Sequence, residues 1–216
     1  MINSVMKQEG EEMKNENPEA VDEHAGIGMN GHILIRDKET GEEIINKRNA
    51  IHYGNMANIV ANALNNQSQS YIHYMAFGNG GTSVDTAGKV IYKSPRVSES
   101  FEASADLYSR SYNKVISAGA SDPTTDKIEV ISGSSFTDLK ITCTLGYAEP
   151  SDQDLFDSST TNEGDYIFDE LALYSYPTDG SNITTSKMLT HVVFHPVQKS
   201  QNRIIEIIYT VRIQLS

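Results

Sequence analysis

Cysteine occurs once in these 216 residues and tryptophan not at all; 17 Lys and Arg stand against 29 Asp and Glu, a formal net charge of -12. Each shortage excludes something. The one cysteine, Cys143, permits neither an intrachain disulfide nor a zinc site built on thiolates. A surface that tracks nucleic-acid phosphates needs clustered Lys and Arg, so the acid excess, with a pI near 4.8, argues against nucleic acid as a partner. No apolar run reaches the ~18 residues of a membrane-spanning helix, and the first 25 residues lack the apolar centre of a signal peptide. A membrane is not an expected partner, and the chain is expected inside a cell or in a particle assembled there. On that reading the sequons at Asn66 and Asn182 are chance matches.

The length suits one all-β domain or two small ones, and either buries a proper core. Met1 to His24 stands apart from the rest. Its seven acids and two lysines leave five net negative charges, and its larger apolar residues beyond Met1 are Ile2, Val5, Met6, Met13 and Val21. Such a segment does not recover its ordering entropy alone. Residues 1–26 therefore read as an acidic, flexible N-terminal arm, with Ile2, Val5, Met6 and Met13 as the side chains that would seat it in a neighbouring subunit. Residues 27–216 read as a single domain.

Within that domain the dominant period is two. Ile33 and Ile35, then Ile44 and Ile45 across a turn containing Gly41, predict a hairpin. Met56, Ile59, Val60, Ala63 and Leu64 fall on one face of a helix, with Asn49 or Asn55 to cap its start and Asn65 or Asn66 its end. No second helix is predicted. From Tyr71 onward the pattern is mostly strands. In "DLKITCTLGY", Leu139, Ile141, Cys143, Leu145 and Tyr147 share a face, so Cys143 reads as a small core hydrophobe. "YIFDELALYSY" and "MLTHVVFHPV" are further strands. The chain closes on Ile205, Ile207, Tyr209, Val211, Ile213 and Leu215, an unbroken apolar face. A strand of that length lies centrally in a sheet or is covered by a partner.

Motifs with chemical promise are few. "MAFGNGGTSVD" lacks the lysine and following helix of a phosphate loop, and its glycines read as a turn needing positive φ. His191 and His195, placed in a strand, lie ~13 Å apart, too far to share one zinc. His32, His52 and His73 have no local partners. The acids Asp152, Asp154 and Asp157 lack the spacing of an EF-hand and read as a solvated loop. Asp169 and Glu170 are adjacent, so a regular strand sends them to opposite faces. No catalytic, cofactor-binding or metal-ligating residue is predicted.

"FDELALYSY", a polar loop, "MLTHVVFHPVQKS" and "EIIYTVRIQL" together resemble small virion structural proteins of tailed, T4-like bacteriophages. There an Asp/Ile-Glu-Leu/Ile-Gly/Ala-Leu-Phe/Tyr strand precedes a Leu-x-His/Arg-x-x-Phe-x-Pro-Val/Ile-x-Lys strand and a Tyr-Thr-Val/Ile-x-Ile strand. The helix "NAIHYGNMANIVANALNN" leading into "IHYMAFGNGGTSVDTAG" is similar too, so the likeness runs from Asn49 to Ser216; the acidic arm is not part of it. The resemblance implies a virion component that assembles with copies of itself and other virion proteins, with no enzymatic site and no cofactor. The expected fold is mainly β: an antiparallel β-sandwich with one flanking α-helix and a flexible N-terminal arm. The expected place is the tail or neck, the alternatives being a capsid head decoration and a carbohydrate-binding host-attachment module. A hydrolase using Asp165, Asp169 or Glu170 would need a cleft with raised carboxyl pKa values.

Overall fold

The computed structural model describes residues 26–97, 105–117, 120, 122–147, 149–150 and 166–215. The arm residues Ile2, Val5, Met6 and Met13, and the acids Asp152, Asp154, Asp157 and Asp165, lie outside them.

Strict alternation produces the first sheet. Its strands are β1 (Ile27–Asp37), β2 (Glu43–Arg48), β8 (Lys127–Ser132), β9 (Phe136–Leu145) and β12 (Ile205–Leu215), in the order β2-β1-β12-β9-β8. β12 is central, as its length requires. It pairs antiparallel with β1 from Ile27↔Leu215 to Asp37↔Ile205, and with β9 from Phe136↔Gln214 to Leu145↔Ile205. The register aligns apolar rows: Ile33, Tyr209 and Ile141 form one, and Ile35, Ile207 and Cys143 the next. All six side chains are fully buried. On the opposite face the same strands carry charges, and Arg212 donates Nε and Nη2 to the carboxylate of its cross-strand partner Asp138, both at 2.8 Å.

The second sheet, ordered β3-β11-β10-β4-β7, uses β3 (Ala50–Ile51), β4 (Ile72–Gly78), β7 (Arg110–Val115), β10 (Tyr166–Ser175) and β11 (Thr190–Lys199). Met75, Phe77, Phe168, Leu171, Leu173, Val192 and Phe194 turn inward and join the first sheet's apolar rows in one core. All pairings are antiparallel. The fold is thus the antiparallel sandwich with a flanking helix. β5 (Thr82–Val84) and β6 (Val90–Tyr92) form a separate hairpin, and Ile183–Thr185 make a single 3-10 turn.

Local expectations needed several corrections. The helix α1 (Tyr53–Leu64) is capped by His52, whose Nδ1 accepts the Asn55 amide at 3.1 Å, rather than by Asn49 or Asn55. Asn55 is instead turned into the core, where its Nδ2 donates to the Met188 carbonyl at 2.8 Å and ties α1 to the second sheet. Asn65 does close the helix. Leu64 is 84% exposed, because only the first two turns of α1 pack against the sheets. Tyr147 leaves the apolar row: β9 ends at Leu145, and the Tyr147 hydroxyl donates to Glu39 at 2.7 Å.

Candidate functional site

The glycine cluster does cradle an anion, and the anion is the protein's own. Glu170 sits on the outer face of β10, fully buried. Its Oε1 accepts the backbone amides of Gly80 at 3.1 Å and Ser109 at 2.8 Å. Its Oε2 accepts the Tyr108 amide at 2.9 Å and lies 3.1 Å from His191 Nε2. Asp169 accepts the amides of Gly81 and Thr82, each at 2.8 Å, and the Thr82 hydroxyl. Adjacent acids therefore serve one loop, against the expectation of opposite faces. The alternation of β10 resets here, with Phe168 and Leu171 both in the core and Asp169 and Glu170 left together on the outer face. The β10–β11 register also shifts at this point, from Phe168↔Val197 to Glu170↔Val193. A bulge of this kind resets the alternation and turns consecutive side chains to one side.

The glycines are needed for closeness, not for positive φ. Positive φ occurs at Gly41, Gly88 and Gly180, not at Gly78, Gly80 or Gly81. A Cβ on Gly78 would stand 2.6 Å from the Ser109 carbonyl oxygen, and one on Gly80 2.8 Å from the Ser109 nitrogen. The reversal expected at the cluster comes later, at Asp85–Lys89. Burial pushes the Glu170 carboxyl up, but the hydrogen bonds from His191, Ser109 and Tyr108 outweigh it and hold the group below its ordinary value. A general acid needs the reverse. The arrangement locks the loops 79–82 and 105–109 onto the second sheet.

The histidines are dispersed. His191 is fully buried, with Nδ1 accepting the Arg96 amide at 2.9 Å. His195 is exposed and meets the Tyr92 hydroxyl at 3.1 Å. His32 pairs with Asn46, and His73 with Ser117. Among the described residues no three His, Cys, Asp or Glu side chains are grouped to hold a metal ion. Cys143 is buried at the core, and burial raises its thiol pKa well above the usual range.

The other notable feature was not legible in the sequence. A cleft of about 780 Å³ opens between the two sheets under α1, lined by Met29, Met56, Ile59, Val60, Ile128 and Ile213 among others. Its wall is mostly apolar. Asp126, beside it, is engaged elsewhere: Oδ1 accepts the Thr144 amide at 2.8 Å, and Oδ2 lies 3.0 Å from the Lys114 ammonium. Burial pulls the Lys114 pKa down, yet Glu149 and Asp126 prevail and keep it above the usual lysine value. Sequence periodicity identified most of these wall residues as apolar; it carried no sign that the two sheets leave a gap there. No family model matches the chain, and neither a curated protein nor a solved structure matches it.

Proposed function

We propose that the protein is a structural subunit of a tailed-bacteriophage virion, a tail or neck component that works by binding copies of itself and other virion proteins. One observation carries this reading. Two polar positions of the motif that resembles those proteins, Glu170 in "FDELALY" and His191 in "LTHVVFHPV", form a single buried pair 3.1 Å apart. The resemblance admits His or Arg at the second position, and both donate to a carboxylate. The pair is thus one physical unit, a buried acid with its donor, on two adjacent interior strands of a sheet. Such a unit serves a scaffold.

The test is quantitative mass spectrometry of purified particles of the phage that encodes the chain. Fixed, low stoichiometry relative to the tail proteins is the expected result. A copy number scaling with the major capsid protein would make it a head decoration, and absence from the particle would overturn the proposal. A second reading, glycan binding during host attachment, draws on the exposed Tyr92 and Tyr108 near Lys93, whose ammonium lies 4.5 Å from the centre of the Tyr108 ring. Binding of the isolated protein to a glycan array would favour it.

A further inference from the structure

We infer that the apolar cleft under α1 is the seat of the chain's own N-terminal arm, occupied by the face that carries Ile2, Val5 and Met6. The inference goes beyond the virion reading and stands or falls without it.

Three observations converge. The first is position. Met29, third residue of β1, lines the cleft, and the strand begins two residues earlier at Ile27, so the preceding chain joins the fold at the cleft's rim. Residues 14–26 extend up to ~40 Å, against a radius of gyration of ~16 Å for a domain of this size. The arm reaches every part of the cleft without strain.

The second is chemistry. Ile2, Val5 and Met6 are spaced i, i+3 and i+4, one face of a helical turn, and Met13 falls two turns further along the same face. Unbranched methionines adapt to irregular apolar walls, and the cleft already has two, Met29 and Met56. Glu9 falls on that same face between Met6 and Met13, so only the first turn, Ile2 to Met6, enters the cleft, and Glu9, Glu11 and Glu12 lie C-terminal to it.

The third is economy of association. An arm tethered at the rim acts at an effective concentration in the millimolar range. A second copy's arm at ordinary protein concentrations meets the same cleft far less often. The arm lacks a core of its own, and the cleft presents apolar wall without a covering segment among the described residues. Each supplies what the other lacks.

The test uses the full-length chain with two new cysteines, Val5→Cys in the arm and Ala63→Cys on the exposed last turn of α1 at the cleft. Cys143 is buried and stays silent under mild oxidation. The expected product is an intramolecular disulfide, seen as a faster-migrating monomer on a non-reducing gel and as a linked peptide pair. A disulfide-linked dimer would assign the cleft to a neighbour's arm and overturn the inference; so would the absence of any bond. Independently, the double variant Val5→Asp/Met6→Asp, altered only in the arm, should bind an apolar fluorescent dye several-fold more than the wild type. Equal dye binding would also overturn it.

Discussion

Glycine serves two separate purposes in this chain, and substitution distinguishes them. Gly88 has φ +82 with nothing within 4 Å of a built Cβ, so its need is conformational. Gly78 has no positive φ, and its need is room for the Ser109 carbonyl and the Glu170 carboxylate. Gly88→Ala should cost about 1 kcal/mol in urea unfolding, and Gly88→Asn less, because Asn tolerates the left-handed region. Gly78→Ala should cost about 1–3 kcal/mol, and Gly78→Asn more. Glu170→Gln keeps the shape but removes the charge that two amides of the 105–109 loop, the Gly80 amide and His191 converge on. It should cost about 3–5 kcal/mol in the same experiment, the usual consequence of breaking a buried pair. The sequence showed the glycines and the acids but not their meeting. Gly80 and Glu170 lie far apart in the chain, and the bulge that turns Asp169 to the same side leaves no periodic trace.

Among elements, strands buried along one face were legible and edge strands were not. β12 follows two-residue alternation because one face meets the core and the other reaches water at Arg212 and Gln214. β9 keeps the same alternation of residue type, although Asp138, Thr142 and Thr144 on its other face are buried too. β7 and β8 end their sheets, where solvent reaches both faces, so "RSYNKV" and "KIEVIS" gave no clear pattern. The β1–β2 hairpin was legible from its turn. There Asp37 accepts the amides of Glu39 and Thr40, each at 2.9 Å, and Arg203 Nε at 2.7 Å. The Thr40 amide first, then Arg203, hold the Asp37 carboxyl down to about 2. A carboxyl whose folded pKa lies below its unfolded value of ~3.9 adds stability above that value and loses it as pH falls through the folded one. Asp37→Asn should therefore melt below the wild type at pH 6, and the gap should close as the pH approaches about 2. Thermal unfolding across that range checks it, and a gap constant with pH would assign the loss to shape rather than charge.

At the scale of the whole molecule, the sandwich was legible and the cleft was not, because periodicity says which face of a strand is apolar and nothing about how far apart two sheets settle. The two sheets share one apolar core, and no three-ligand cluster lies among the described residues. Treatment with a chelator should leave the melting temperature unchanged, and a drop of several degrees would reveal an ion outside that set. The central place of β12 has a consequence during synthesis. Of the five strands in its sheet it is the last to leave the ribosome, yet it alone joins the β2-β1 pair to the β9-β8 pair. Until Ile205–Leu215 emerges, the nascent chain carries two hairpins with unpaired edges at β1 and β9, which chaperones or aggregation partners compete to cover. Nascent chains stalled just before Ile205 should be degraded quickly by added protease, and those extended far enough for Leu215 to clear the exit tunnel should resist it. The last strand of the sheet to be made is thus the one that turns two halves into one.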